Sequence, residues 1–192
     1  MPEERIKAVL DFWFDGVTDQ SVIDKKKAPF KNWFTASQAF DAAVNAHFHD
    51  DYIKAAGGLY ASWSSSAKGR LALIIIFDQL GRNLFRGSPA MYRADPLAQR
   101  LSIEGIEQKA DEELALIERL FFYMPLMHAE DLELQKLSVV CFKKLRDAAA
   151  RLNSANEKYY DSHLAHAEKH YEEIRRHGRF THRDKVLNRQ RP

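Results

Sequence analysis

The segment 71–87 constrains the fold most strongly, because it passes from unbroken apolar sequence into a dense set of polar side chains. Positions 71–77 are all apolar, whereas 78–87 carry an aspartate, two side-chain amides and two arginines. A helix that is apolar all round is buried. At about 100° per residue, the polar side chains share the face that apolar residues occupy one or two turns earlier. We therefore expect a buried helix whose polar end faces a polar interior, and any binding or chemistry is expected there.

The rest of the sequence predicts helices joined by short turns. Its 8 glycines and 6 prolines lie between stretches in which apolar residues recur at helical spacing, and no stretch shows strand alternation. A chain of 192 residues suits one domain. We predict an all-α fold, a single domain over 1–192 of seven or eight antiparallel helices. The predicted helices cover about 3–14, 37–56, 67–85, 95–108, 111–124, 129–152 and 154–176, and Thr181 is expected to cap a last short helix.

Asp95 and Asp111 are each expected to cap the helix that begins there, since aspartate is a favoured capping residue. The aromatic pairs Trp13-Phe14 and Trp33-Phe34 are expected to pack in the core.

Composition argues against several classes of protein. Hydrophobic residues at 45% and charged residues at 29% indicate a soluble globule and exclude a disordered chain. Cys141 is the single cysteine, so no internal disulfide forms, and its apolar neighbours predict a buried, inert thiol. The first residues lack the order of a secretory signal, and no apolar run approaches the ~20 residues of a membrane span. We expect a cytoplasmic protein that makes no membrane contact.

The net charge of +2 gives no global attraction to nucleic acid, which is the least favoured partner. The C-terminal end, 175–192, is locally basic, and within it only Asp184 opposes the positive charges. These are Arg175, Arg176, Arg179, Arg183, Lys185, Arg189 and Arg191.

Three segments carry unusual polar side chains: 78–86, 128–135 and 177–183. In the second, Asp131 and Gln135 lie at helical spacing from His128, on the face shared with apolar residues further along, so both are expected to point inward. Buried carboxylates need partners, and the arginines of the other two segments are candidates. Arginines outnumber carboxylates here, which leaves donors for an incoming anion.

Two interpretations of these segments remain open. One is a network of ion pairs and helix caps that fixes the packing of three helices. The other is a polar cleft that binds a small anionic metabolite, with the reaction class, and thus enzymatic activity, undetermined. His182 is the best acid or base candidate because it lies beside two arginines and near a predicted helix start. The candidate ligand-binding residues are Asp78, Arg82, Asn83, Arg86, His128, Asp131, Gln135, Arg179, His182 and Arg183.

Other site motifs are weak or missing. His163, His166 and His170 share one helix face, but no carboxylate completes a known zinc pattern, so packing is the simpler interpretation and no metal is predicted. The sequence contains no glycine-rich phosphate loop, nucleophile elbow, CxxC or Walker motif, and we predict no cofactor.

A set of motifs spread over nearly the whole chain resembles a bacterial family catalogued as domain of unknown function 924. It includes Val9-Leu-x-Phe-Trp-Phe14, Trp33-Phe34, Trp63, Gly69-x-Leu-Ala-Leu-Ile-Ile-x-Phe-Asp-Gln79, Arg82-Asn83, Arg86-Gly87, Glu118-Arg119, Tyr123-x-Pro125, His128, Glu130-Asp131, Gln135 and Gly178-Arg-Phe-x-His-Arg183.

The resemblance implies a tetratricopeptide-like helical array and brings no established activity. As related folds bind proteins, the alternative function is a helical scaffold whose groove takes a peptide or protein partner. The sequence departs from the family at Gly81 and Thr181, where proline is usual, and at Pro192, where it ends before the usual tail.

Overall fold

A computed structural model of the chain describes residues 1–190, without the side chain of Ser154; Arg191 of the basic end lies outside them. Within that range the elements are helices and no strand occurs, so the predicted all-α fold is confirmed. The α-helices are α1 (Pro2–Phe14), α2 (Phe30–Phe34), α3 (Gln38–Ala56), α4 (Ala67–Ile74), α5 (Gly81–Leu84), α6 (Asp95–Glu107), α7 (Leu116–Met127), α8 (Leu132–Leu152) and α9 (Glu157–His177). Short 3₁₀ turns cover Ala61–Ser65, Pro89–Tyr92, Ala110–Glu113, Ser154–Asn156 and Thr181–Arg183.

A buried apolar cluster joins most of these helices. Every position from 71 to 77 is buried, as the sequence predicted. Trp33 is anchored in this core because its indole Nε1 donates to the Trp13 carbonyl at 2.8 Å. Phe34 does not follow it: the side chain is 52% exposed, because its neighbour already occupies the inward position of the short helix α2. The thiol of Cys141 is buried as expected, and burial raises its pKa to about 12.

Between α4 and α5 the chain makes a wider, π-helical turn, Ile75–Leu80, so that α4, this turn and α5 follow one another without a break. The Gly81 N–H bonds to the carbonyl of Ile76, five residues back. A π-helical turn changes the direction of every side chain after it, and such turns are frequent at functional sites. A regular 100° spacing therefore misplaces the polar residues that follow.

Several predicted helix ends differ in the structure. The N-cap of α6 is Ala94, and the Asp95 carboxylate is instead used by arginines. Asp111 lies in a 3₁₀ turn and accepts a hydrogen bond from the Tyr123 hydroxyl. Helix α7 continues through Pro125 to Met127, because proline is compatible with helical φ and gives up only one backbone donor.

Candidate functional site

A cleft of about 450 Å³ opens where α2, the α4–α5 segment, the end of α7 and α9 meet. One wall carries polar side chains of the π-helical turn and α5, the floor is methionine, and the far wall is a row of histidines on α9. The residues that line it are Lys25, Asn32, Trp33, Phe34, Thr35, Ala36, Gln79, Arg82, Asn83, Arg86, Met91, Met124, Met127, His128, Ser162, His163, His166 and His170.

The deepest polar group beside this cleft is Asp78, whose side chain has no exposed surface. His128 Nδ1 lies 2.7 Å from Asp78 Oδ1, and Arg82 Nη2 lies 3.2 Å from the same oxygen. Gln79 Nε2 donates to the other carboxylate oxygen. Burial alone would raise the pKa of Asp78, but the imidazole and the guanidinium outweigh it and hold that pKa below its usual range. Asp78 is therefore an ionised acceptor.

Asp95 joins two of the predicted arginines behind the cleft. Arg82 Nη2 donates to Asp95 Oδ1 at 2.9 Å, and Arg183 Nη1 donates to Asp95 Oδ2 at 3.4 Å. Both guanidinium groups also lie over the Tyr92 ring, at 4.9 Å and 4.5 Å from its centroid. Burial raises the pKa of Asp95 against the pull of the arginines, and burial together with the neighbouring Arg82 lowers the pKa of Arg183.

The other two polar residues of the α5 wall, Asn83 and Arg86, hydrogen-bond to Asp41 of α3. Arg86 Nε and Nη2 donate to Asp41 at 2.6 Å and 2.8 Å, and Asn83 Nδ2 donates to it at 2.8 Å. The Arg86 guanidinium holds the pKa of Asp41 below its usual value. Asp41 gives no local signal in the sequence because its partner Arg86 follows 45 residues later.

Asp131 and Gln135 have different roles from those predicted. Asp131 is exposed and caps α8, accepting from the Leu134 N–H at 2.9 Å, so its predicted inward orientation is wrong. Helix α8 begins at Leu132, three residues after the predicted start at 129, so Asp131 is the N-cap and its carboxylate turns onto the helix end. Gln135 is buried as predicted, but its amide donates to the carbonyls of Met127 and Ala129 at 2.8 Å and 2.7 Å. Gln135 therefore satisfies backbone acceptors at the C-terminal end of α7 and just beyond it.

The C-terminal residues of the predicted set also separate. Arg179 pairs with Asp184 at 3.0 Å and stays outside the cleft. His182 is largely exposed and lines no part of the cleft, and partial desolvation of its ring together with the charge of Arg183 lowers its pKa. Arg183 alone reaches the cluster, since its Nη2 donates to the His128 carbonyl at 2.9 Å.

The predicted excess of arginine is wrong, because carboxylates outside the three segments neutralise it. Arg82 pairs with Asp78 and shares Asp95 with Arg183, while Arg86 pairs with Asp41. The basic C-terminal end is paired in the same way. Besides the pair of Arg183 with Asp95, its ion pairs within the described residues are Arg175 with Glu172, Arg176 with Glu172, Arg179 with Asp184, and Arg189 with Glu130.

The histidines of α9 belong to the cleft, which the sequence analysis did not predict. His163 is buried against the Tyr159 ring at 4.6 Å, and burial with the nearby Lys25 charge lowers its pKa to about 3. His170 Nδ1 lies 3.0 Å from the Met127 carbonyl, and burial lowers its pKa to about 4. Both rings are neutral at pH 7. Their spacing of three and four residues was the signal available in the sequence, and the packing of α9 against α7 is what places these rings in the cleft.

Lys25 is a further residue that sequence reasoning missed. Its Nζ lies 3.2 Å from the Ser162 hydroxyl and 5.3 Å from the centroid of the Tyr159 ring. No carboxylate pairs with it among residues 1–190. With Arg82 and Arg86 it makes three cationic side chains in the cleft lining, and the described lining contains no aspartate or glutamate.

Residues 1–190 hold no group of three or more histidine, cysteine, aspartate or glutamate side chains placed to bind a metal ion. In the same range, none of the helices combines the length and apolar character needed to cross a bilayer.

Fold and site together define an all-helical protein with a cleft of polar and apolar walls beside a buried Asp–His–Arg cluster. The chain belongs to the family described as bacterial protein of unknown function (DUF924), whose sequence profile matches residues 9–192. A solved structure, that of the protein of unknown function ATU0120 from Agrobacterium tumefaciens, is similar to it, with 31% identity and a TM-score of 0.79. The match covers 100% of this chain and 94% of that one. No curated protein matches the sequence.

Proposed function

We propose that the cleft binds a small organic anion with an apolar body. The observation that carries this proposal is the composition of the lining: three cations, Lys25, Arg82 and Arg86, stand there without a lining carboxylate, above a floor of methionine. The carboxylates that balance the two arginines contact them from behind, at Asp78, Asp95 and Asp41. An anion in the cleft therefore meets positive charge first.

The size of the cleft favours a small molecule over a peptide. Its volume of about 450 Å³ lies within the range of roughly 300–1,000 Å³ typical of small-molecule sites. Met124 and Met127 are almost fully buried beneath it, and exposed Phe34 stands at one side. Methionine adapts its shape to apolar ligands, so the floor suits a ring or a branched chain.

The methionines supply a direct assay, because three of the 4 in the chain line the cleft. Protein carrying ¹³C-methyl methionine is titrated with benzoate, with acetate and with neutral benzamide. Benzoate is expected to shift the signals of Met91, Met124 and Met127 and to leave Met1 unchanged. Acetate and benzamide are expected to bind more weakly, because acetate lacks the apolar ring and benzamide lacks the negative charge.

The matched variants are Lys25→Met and Lys26→Met. Lys25 lines the cleft and Lys26 does not, although both are exposed lysines of the same loop. Loss of one partly solvated charge interaction of about 1 kcal/mol raises Kd about fivefold for Lys25→Met, with no change for Lys26→Met. Equal binding of benzoate and benzamide, or no shift of the three methionines with any anion, would refute the proposal.

A further inference from the structure

His128 is held on both sides, in a way that leaves one ring nitrogen without a partner. Its Nδ1 faces Asp78 Oδ1 at 2.7 Å, and its backbone carbonyl accepts from Arg183 at 2.9 Å. An ionised carboxylate can only accept, so Nδ1 carries a proton, and in the neutral imidazole with this tautomer Nε2 is an acceptor. Within residues 1–190 no group hydrogen-bonds to Nε2, and the ring, 22% exposed, lines the cleft.

Both carboxylate oxygens of Asp78 have a hydrogen-bond donor other than His128. Arg82 already donates to Oδ1, and Gln79 donates to Oδ2. A buried carboxylate that fixes one imidazole tautomer at the wall of a cleft is the arrangement of a general base and its orienting group. The π-helical turn that carries Asp78 and Gln79 is itself a feature found frequently at functional sites.

We propose that the cleft is the active site of a hydrolase in which His128 activates a water molecule against a small anionic carboxylic ester. This proposal rests on the anion-binding function proposed above. Asp78 is the positioning residue, and Arg82, which shares Asp78 Oδ1 with His128, faces the charge that develops on the ester carbonyl.

Water is the nucleophile because the hydroxyl side chains of the lining are engaged elsewhere or lack contact with His128. The Ser162 hydroxyl donates to the Tyr159 carbonyl and accepts from Lys25. Thr35 lines the cleft without a hydrogen bond to His128 in the described structure. His128 Nε2 takes a proton from water while the water oxygen bonds to the ester carbonyl carbon. The carbon–oxygen bond to the alcohol then breaks, and the proton on Nε2 passes to the departing oxygen, giving one acid and one alcohol.

The test uses 3-carboxyphenyl acetate and its neutral analogue, phenyl acetate. The carboxylate ester is expected to have the higher kcat/KM, and His128→Gln is expected to lose about 10²–10⁴-fold, the usual contribution of a general base. The control, His177→Gln, removes an exposed histidine outside the cleft and is expected to leave activity unchanged.

Asp78→Asn separates positioning from packing. It is expected to lower kcat with KM nearly unchanged and to shift His128 away from the Nδ1-protonated tautomer, observed by ¹⁵N NMR of labelled imidazoles. A wild-type tautomer together with a wild-type kcat in this variant overturns the role of Asp78.

The binding assay distinguishes failure of this inference from failure of the anion site. 3-Hydroxybenzoate, the phenol product that keeps the substrate's carboxylate, is titrated into wild type and His128→Gln while the three cleft methionines are followed. Binding in both proteins without His128-dependent hydrolysis overturns the hydrolase and leaves the anion site standing. Absence of binding in wild type overturns both.

Discussion

Replacing Arg82 with methionine removes the charge that links two buried carboxylates while keeping most of the side-chain volume. The guanidinium donates to Asp78 at 3.2 Å, to Asp95 at 2.9 Å and to the Met91 carbonyl at 3.0 Å. The side chain of Asp78 is fully buried and that of Asp95 is 8% exposed, so neither carboxylate can turn to water instead.

Removing one partner of a buried ion pair costs about 3–5 kcal/mol, because the other charge is left uncompensated. The low end applies here, since Asp78 keeps His128 and Asp95 keeps Arg183 at 3.4 Å. We expect Arg82→Met to lower the free energy of unfolding by about 3 kcal/mol, and Tm by about 6–12 °C for a chain of this length.

Urea denaturation at pH 7 measures this change. Arg100→Met is the matched control, because Arg100 is 67% exposed and lies 3.8 Å from Glu104, a pair worth less than about 0.5 kcal/mol. A double-mutant cycle of Arg82→Met with Asp95→Asn is expected to give a coupling of at least about 1 kcal/mol. A destabilisation of Arg82→Met below about 1 kcal/mol, or a coupling near zero, would refute a structural role for the network.

Three further changes are predicted. Gln135→Leu removes the side-chain donor from the carbonyls of Met127, the last residue of α7, and Ala129, and should lower the free energy of unfolding measured in urea by about 1–3 kcal/mol. Burial lowers the pKa of His163 to about 3, so its neutral form stabilises the fold above pH 6.5 and this stability is lost as pH falls toward 3. Between pH 7.5 and 4.5, the free energy of unfolding of His163→Phe should therefore fall by about 2–3 kcal/mol less than that of wild type. If the free energy of unfolding changed with pH equally in the two proteins, this prediction would be contradicted. Gly105→Ala places a Cβ 2.4 Å from Phe122 Cζ and should lower stability by about 1–3 kcal/mol; an unchanged Tm would count against this packing.

Local patterns predicted most of the helices because helix formation depends on residues three and four apart. The predicted ends of the helix at 37–56 agree with α3, where the Ser37 hydroxyl accepts from the Phe40 N–H. The αL residue Gly178 ends α9, as glycine at that position predicts. The prediction that Asp95 and Asp111 cap helices was wrong, because side chains from elsewhere in the chain hydrogen-bond to these two carboxylates.

The candidate site was predicted in part. Arg82, Asn83, Arg86 and His128 line the cleft, and Asp78 lies directly behind His128. The partners that decide what these residues can do were not predictable, because an ion pair between distant positions leaves no local periodicity.

The sequence by itself determined that this chain is all-helical, that 71–77 is buried, and that a polar cluster begins at Asp78. These properties follow from apolar spacing and side-chain chemistry within a few turns. Only the tertiary structure decided which arginines are neutralised, since Arg183 meets Asp95 across 88 residues and Arg86 meets Asp41 across 45. It also placed the α9 histidines and Lys25 opposite His128. The physical reason is that helix packing and the π-helical turn set these contacts, and neither depends on the spacing of residues within a single helix.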